Sequence, residues 1–203
     1  GKTFSFLNVE HTSEPFPEGF TAVPRRDLYD YVYLAEDLMG LKGRAYAAKR
    51  NLISQFKRKY DWRFEPLSPY NRKDCLTVAR EWDDTHTGSL LAFEYTAIER
   101  MLSFPKDYGQ SGGLLYVDNK PIAFTVGSHP RPELLDILAE KAFTEYTGAY
   151  PILMQSYAQY AFSLSPFQYI NREEDIGLPN LREAKTQLKP ERLIEKTLMT
   201  AAL

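Results

Sequence analysis

The sequence predicts a mixed α/β fold, and three observations carry that prediction. Leu114–Val117 and Pro121–Val126 are apolar runs joined by Asp118-Asn119-Lys120, the turn chemistry of a short antiparallel hairpin. Apolar residues recur at helical spacing over 34–60, 73–84, 89–103 and 149–164. Strand-like and helix-like segments interleave without an internal repeat, which argues for one mixed architecture. With 203 residues, 43% hydrophobic and 26% charged, the chain is long and apolar enough to bury one sizeable core.

Each element follows from local pattern. Residues 3–9 and 20–24 are β-rich and bounded by Pro and Gly, with 14–18 a loop between them. From Leu34 to Tyr60 the pattern is helical, broken near Gly40 and Gly43. Ala45, Leu52, Ile53, Phe56 and Tyr60 fall on one arc at 100° per residue, so that arc should face a core. Trp62–Leu67 alternates as a strand does, and Pro66, Pro69 and Asn71 punctuate a loop before two helices near 73–84 and 89–103. Residues 132–143 fit either a helix, through Leu134, Leu135, Ile137 and Leu138, or a strand, through Leu135, Ile137, Ala139 and Lys141; the pattern leans to helix. Pro151 suits a helix start after Gly148. Gln168–Asn171 reads as a short strand, and Leu181–Leu188 as a short helix stopped by Pro190.

Composition excludes several functions. Lys and Arg total 25 against 27 for Asp and Glu, so a net charge of −2 gives no general affinity for nucleic acid or anionic membranes. The lone Cys75 and the scattered His11, His86 and His129 offer no zinc-ligand spacing and no internal disulfide, which fits a reducing cytoplasmic interior and predicts no metal. Apolar runs fall far short of the ~18 residues of a membrane span, and no signal segment opens the chain. The first residue is Gly1, which leaves a tag scar, a processed end and an excised fragment all open.

Charge is nevertheless concentrated. Lys42, Arg44, Lys49, Arg50, Lys57, Arg58 and Lys59 lie in a stretch with no acid, so it carries +7 and leaves −9 for the rest. Such a face attracts phosphate. Lys49 projects into the middle of the apolar arc, where a cation is costly unless paired or used. A second cluster, Asn171-Arg172-Glu173-Glu174-Asp175, follows a short apolar strand, and Arg182 and Lys185 lie one turn apart on the next helix. Glu140-Lys141 sits in an apolar segment. Gly109-Gln110-Ser111-Gly112-Gly113 matches a serine-hydrolase pattern, but it follows a helix and leads into a hairpin, so it reads as a glycine turn rather than a nucleophile elbow. Tyr150, Tyr157 and Tyr160 at helical spacing read as packing.

Several stretches resemble one family in both content and order. They are Asp30-Tyr31-Val32-Tyr33, Gly43-Arg44-Ala45-Tyr46-Ala47-Ala48-Lys49-Arg50-Asn51, Glu140-Lys141-Ala142, Gly148-Ala149-Tyr150, Ile170-Asn171-Arg172-Glu173-Glu174-Asp175 and Leu181-Arg182-Glu183-Ala184-Lys185. The family is the C-terminal domain of bacterial phosphatidylglycerol lysyltransferases with its soluble relatives, and the similarity runs from about Asp27 to Ile194. The resemblance implies an acetyltransferase-type (GNAT) fold, α/β (α+β), with a mixed central sheet flanked by helices. It implies that 27–203 is one such domain and 1–26 the tail of a preceding GNAT-like half. It makes 136–143 a strand, against the helical leaning, and 149–164 the following helix, with a donor phosphate near Gly148. Coenzyme-A-binding members of the wider superfamily carry Gln/Arg-x-x-Gly-x-Gly/Ala at that turn. Here the residues are Glu145, Tyr146, Thr147, Gly148, Ala149 and Tyr150, which points toward aminoacyl-tRNA and away from acyl-coenzyme A.

The resemblance therefore implies an enzyme, an aminoacyl or acyl transferase. It would move an activated acyl group from a tRNA-type donor to an amine or hydroxyl on a small-molecule, peptide or lipid acceptor. Lys49 or Arg50 would stabilise the oxyanion, and Glu173 or Asp175 would accept the proton. Arg44, Asn51, Glu140, Lys141, Gly148, Tyr150, Asn171, Arg172, Arg182 and Lys185 would hold donor or acceptor. No resident cofactor is implied, because aminoacyl-tRNA or acyl-coenzyme A is a co-substrate, and direct transfer is expected rather than a Cys75 intermediate. The alternatives are an acetyl-coenzyme A N-acetyltransferase and a non-catalytic RNA- or phosphate-binding module.

Overall fold

The computed structural model describes residues 3–10, 18–85, 91–103 and 110–202. In chain order, β1 (Thr3–Glu10), β2 (Thr21–Pro24) and β3 (Asp30–Leu34) precede α1 (Ala35–Gly40), α2 (Ala47–Lys59) and β4 (Trp62–Pro66). Then come α3 (Arg72–Thr85), α4 (Leu91–Ser103), β5 (Gln110–Val117), β6 (Lys120–Arg131) and β7 (Leu134–Ala142). The chain continues through α5 (Ala149–Leu164), β8 (Tyr169–Asn171), α6 (Pro179–Thr186), β9 (Arg192–Ile194) and β10 (Lys196–Ala202). Contacts divide the chain into two units, residues 35–170 and residues 1–34 with 171–203.

The unit of residues 35–170 is built on the antiparallel order β4-β5-β6-β7. The β5–β6 turn is as the sequence predicts: Asp118 and Asn119 take φ of +49° and +65°, the positive values of a two-residue hairpin turn, and Val117 pairs with Lys120. Residues 134–142 form a strand, and its inward residues are the alternating Leu135, Ile137, Ala139 and Lys141. The helical leaning fails because β6 pairs with these residues from Ala123–Ala142 to Arg131–Leu134, with register shifts at Val126/Gly127 and Ser128/Arg131. Side-chain alternation puts helices on both faces. Ser111 and Gly127 face α5, where Tyr157 hydroxyl meets Ser111 Oγ at 2.8 Å. Lys141, of opposite parity, faces Trp82 of α3 and Glu94 of α4.

Two further expectations change. Residues Gln110–Gly113 lie within β5 and do not form a turn, while Gly109 lies outside the described residues. The glycines serve packing: a Cβ on Gly113 would collide with the Phe64 ring, and one on Gly127 would sit 2.8 Å from Tyr157 hydroxyl. The basic segment is also not one continuous helical arc. Arg44–Tyr46 form a 3₁₀ turn before α2, which rotates Ala45 off the apolar face and leaves it exposed, while Ile53 and Phe56 are buried. Lys49 is half-buried, not at the arc's centre.

In the other unit, β1-β10-β2 form a three-stranded antiparallel sheet and β3 pairs antiparallel with β9. Local pattern does not predict strands β3, β9 and β10. β3 is short and apolar on both faces, with Tyr31, Val32 and Tyr33 all buried, so it has no period-2 signature to read. No helix among the described residues is long and apolar enough to cross a membrane.

Candidate functional site

In the unit of residues 35–170, the predicted cations line α2 and the turn before it. Arg44, Arg50, Asn51, Lys57, Arg58 and Lys59 are exposed. Arg50 is engaged by backbone, since its Nη1 donates to Leu41 O and, at 2.6 Å, to Gly43 O, which fixes the left-handed backbone at Leu41 and Gly43. This occupies the guanidinium expected to stabilise an oxyanion, so Arg50 is better read as a staple of the α1–α2 loop.

The start of α5 lies against the basic helix. Gly148, at φ +96°, caps α5, and a Cβ there would stand 2.6 Å from Leu52 O and 3.1 Å from Phe56 Cβ. Only glycine tolerates both the dihedral and the approach. Lys49, one turn before Leu52, thus lies on the helix that touches this α5 terminus. The terminus is a poorer anion site than the sequence implies: Ala149 N–H donates to Tyr146 O at 2.9 Å, and Pro151 has no N–H. Tyr150 is half-buried beside it.

Glu140 and Lys141 separate across β7. Lys141, 5% exposed, donates to Glu94 Oε2 at 2.8 Å and lies 3.6 Å from the centre of the Trp82 ring. That environment ties β7 to α3 and α4 and makes Lys141 a packing cation rather than a donor contact. Glu140, opposite Thr125, points to the α5 face.

In the other unit, the loop after β8 is fastened from beneath. Asp175 is fully buried and accepts from Arg182 Nε at 2.7 Å and Nη2 at 2.9 Å, Tyr31 hydroxyl at 2.6 Å, Gly177 N–H at 2.9 Å and Arg26 Nη1 at 3.3 Å. Burial favours the neutral acid, but the hydrogen bonds from Arg182, Tyr31 and Gly177 N–H outweigh it and hold the carboxyl well below the usual carboxylate range. Such a group is a weak base, so the structure corrects Asp175 from proton acceptor to structural anion. Arg182 is spent on it. Lys185, 8% exposed, donates its Nζ protons to Arg172 O, Glu173 O at 3.1 Å and Glu174 O at 2.7 Å. Lys185 therefore shapes the loop and is not aimed at a substrate.

Asn171 completes the frame. Its Nδ2 donates to Asp30 Oδ2 at 3.2 Å and its Oδ1 accepts Glu173 N–H at 2.9 Å, while Asp30 takes Lys196 Nζ at 2.5 Å. Glu173 is held at φ +53° and its carbonyl also receives Tyr31 N–H at 3.2 Å. Such a strained conformation persists where surroundings over-determine it. The side chains of Arg172, Glu173 and Glu174 on this loop are half-buried, and Glu174 Oε2 lies 3.8 Å from Lys196 Nζ. Sequence reasoning missed Tyr31, Arg26, Asp30 and Lys196 as the loop's partners. Tyr31 had a signal, in the Asp30-Tyr31-Val32-Tyr33 stretch, and Tyr33 hydroxyl likewise donates to Lys185 O at 2.9 Å.

Among the described residues no cluster of His, Cys, Asp and Glu is arranged to hold a metal ion. Cys75 is buried and its thiol is pushed up to about 12 by desolvation, which disfavours a thiolate nucleophile.

Comparison with known proteins places this geometry. The family model described as phosphatidylglycerol lysyltransferase, C-terminal, matches residues 3–199. A conserved protein of unknown function from Bacteroides thetaiotaomicron superposes with a TM-score of 0.83 at 34% identity, over 92% of this chain and 64% of that one. The chain thus spans somewhat under two thirds of that protein's length. The C-terminal domain of a protein classed as a lysylphosphatidylglycerol synthetase from Agrobacterium fabrum gives a TM-score of 0.69 at 17% identity, over 98% of this chain and 68% of that one. A tandem GNAT protein of clavulanic acid biosynthesis gives 0.56 at 10% identity, over 98% and 63%. The fold is GNAT-like. No curated protein matches the chain by sequence.

Proposed function

Since this chain belongs to the family of phosphatidylglycerol lysyltransferase C-terminal domains, a GNAT-fold transferase family, we propose that it transfers an aminoacyl group from a tRNA-type donor to an amine or hydroxyl. The observation that carries the choice of donor is the seat of α5 against α2. Gly148 brings the α5 start to the carbonyl of Leu52, and the helix bearing that carbonyl has cations at both ends and no acid. A large polyphosphate donor matches that charge distribution better than a single nucleotide does. The acidic Glu145 and the bulky Tyr150 in the turn around Gly148 argue against acyl-coenzyme A.

In this reading Arg44, Lys49 and Asn51 of the 35–170 unit contact the phosphates of the donor. Glu173 accepts the proton of the attacking amine or hydroxyl as the carbonyl carbon is attacked, and that proton passes to the ribose oxygen of the tRNA as the ester C–O bond breaks. Asp175, Arg182 and Lys185 hold the Glu173 loop and take no part in proton transfer. Arg172 and Glu174 flank Glu173 and contact the acceptor. Charged tRNA as donor implies a cytoplasmic reaction.

The test is transfer of a labelled amino acid from charged tRNA to amine and hydroxyl acceptors, with the chain assayed in its full-length natural context. Glu173→Gln should lower kcat by a factor on the order of 10²–10⁴ while leaving thermal stability near the parent value. No transfer to any acceptor, together with saturable thermal stabilisation by coenzyme A, would replace the proposal by an acetyl-coenzyme A N-acetyltransferase.

A further inference from the structure

We infer that the last turn of α2 and the adjoining edge strand β4 form a docking surface for an RNA backbone, apart from the residues assigned to the transfer itself. Naming RNA rather than another polyanion rests on the proposed tRNA-type donor; the surface rests on its own observations.

Lys57, Arg58 and Lys59 project from the final turn of α2, all exposed. The two lysines lie against aromatic rings: Lys57 Nζ stands 5.4 Å from the centre of the Trp62 ring and Lys59 Nζ 4.9 Å from that of Tyr60. On β4, Arg63 lies 4.2 Å from the centre of the Tyr116 ring. A cation resting on a ring face has already given up part of its rotamer freedom, so capturing a phosphate costs it less. Arg63 is partly balanced by Glu65 at 2.6 Å, and Lys120 in the nearby hairpin lies 3.9 Å from Glu81. The net positive charge therefore belongs to the α2 turn.

Three cations at a helix C-terminus also complement its dipole, and that effect accounts for part of the pattern. It does not account for the other end. There Arg50 is held by the carbonyls of Leu41 and Gly43, while the exposed Arg44 precedes α2 with no acid in the first turn, where the dipole disfavours positive charge. The dipole selects the C-terminal cations only, and the exposed Arg44 adds positive charge at the other end that it does not select. From end to end α2 is about 20 Å long, so the ridge spans several phosphates rather than one.

The partner is RNA rather than an anionic membrane because nothing here can insert. The apolar face of α2, Ile53 and Phe56, is buried in its own unit. None of the large apolar side chains exposed among the described residues falls between 42 and 65. The half-buried Tyr60 and Trp62 offer flat faces suited to bases.

The experiment measures binding of bulk uncharged tRNA by fluorescence anisotropy across a roughly 50–200 mM salt series. The parent protein is compared with Lys57→Gln/Arg58→Gln/Lys59→Gln, and with Arg58→Glu alone in case the triple variant folds poorly. Loss of three phosphate contacts should make the slope of log K against log salt shallower by about 2–3, at 0.7–0.9 per contact. Arg58→Glu should weaken binding in the same direction, while Lys57→Arg/Lys59→Arg should keep the parent slope. Parent affinity and slope in both neutralised and reversed variants overturns the surface and leaves the transferase reading standing. Conversely, tRNA binding that follows these variants without any aminoacyl transfer upholds the surface and removes the reading. Loss of binding to phosphatidylglycerol vesicles in the variants, with tRNA binding unchanged, overturns the inference in favour of a membrane.

Discussion

The Lys185 ammonium carries three N–H groups, and the fold directs them at three successive carbonyls, of Arg172, Glu173 and Glu174. Three carbonyls around one point need a compact cation. Arginine, with its planar fork, does not reproduce that geometry. Lys185→Met should therefore cost about 2–3 kcal/mol, the scale of leaving buried polar groups unsatisfied, and should lower kcat because Glu173 loses its fixed position. Lys185→Arg should recover stability only in part and activity hardly at all. Urea melts with hydrogen exchange of the amides of 172–174 separate the two readings. If activity falls while exchange of those amides stays at the parent rate, Lys185 acts on substrate and is no positioning residue. Lys141 illustrates the same rule, since its Trp82 and Glu94 partners commit it to packing. Residue type and spacing marked both lysines in the sequence; only their neighbours reveal which way each ammonium is spent.

At the scale of elements, Gly148 joins two helices. Its φ of +96° and the 2.6 Å approach of Leu52 O to an added Cβ act together, so Gly148→Ala must both strain the turn and push α2 from α5. The expected cost is about 1–3 kcal/mol, with a rise in KM for the donor that exceeds the change in kcat, because Lys49 moves with α2. Unchanged KM with lost stability would show that the seat of α5 on α2 serves folding alone. The sequence announced this glycine through its place before Pro151, and it announced the β5–β6 hairpin through Asp118-Asn119, because both are local backbone requirements. The strand β7 was legible only as an alternative, since Leu134, Leu135, Ile137 and Leu138 satisfy a helical period equally well; pairing with β6 decides it, and pairing is non-local. Tyr31 carried a signal in its own stretch, but its pairing with Asp175 was not legible, because 144 positions separate the two. No periodicity encodes such a distance.

At the scale of the molecule, two titratable groups, one in each unit, make stability depend on pH in the acid range. Partial burial pushes the His129 imidazole below its ordinary value, and a backbone hydrogen bond to Leu134 offsets this only partly. The unfolded chain then binds a proton at His129 that the folded chain refuses, so stability falls as pH drops below about 6.5 and levels off below the folded value. Asp175 acts in the same direction at lower pH. Its folded carboxyl stays ionised below the usual range while the unfolded one protonates near about 3.9, so its contribution is present above that pH and is lost as pH falls through the folded value. Folding free energy, measured by denaturant titration across pH, should therefore descend in two steps on acidification. His129→Gln should flatten the upper step and leave the lower intact. Asp175→Asn should flatten the lower step and also reduce stability at neutral pH by about 3 kcal/mol, because Arg182, Tyr31 and Gly177 lose a shared anion. A single acid transition that ignores both substitutions would mean that carboxylates elsewhere in the chain, rather than these two sites, govern its acid unfolding.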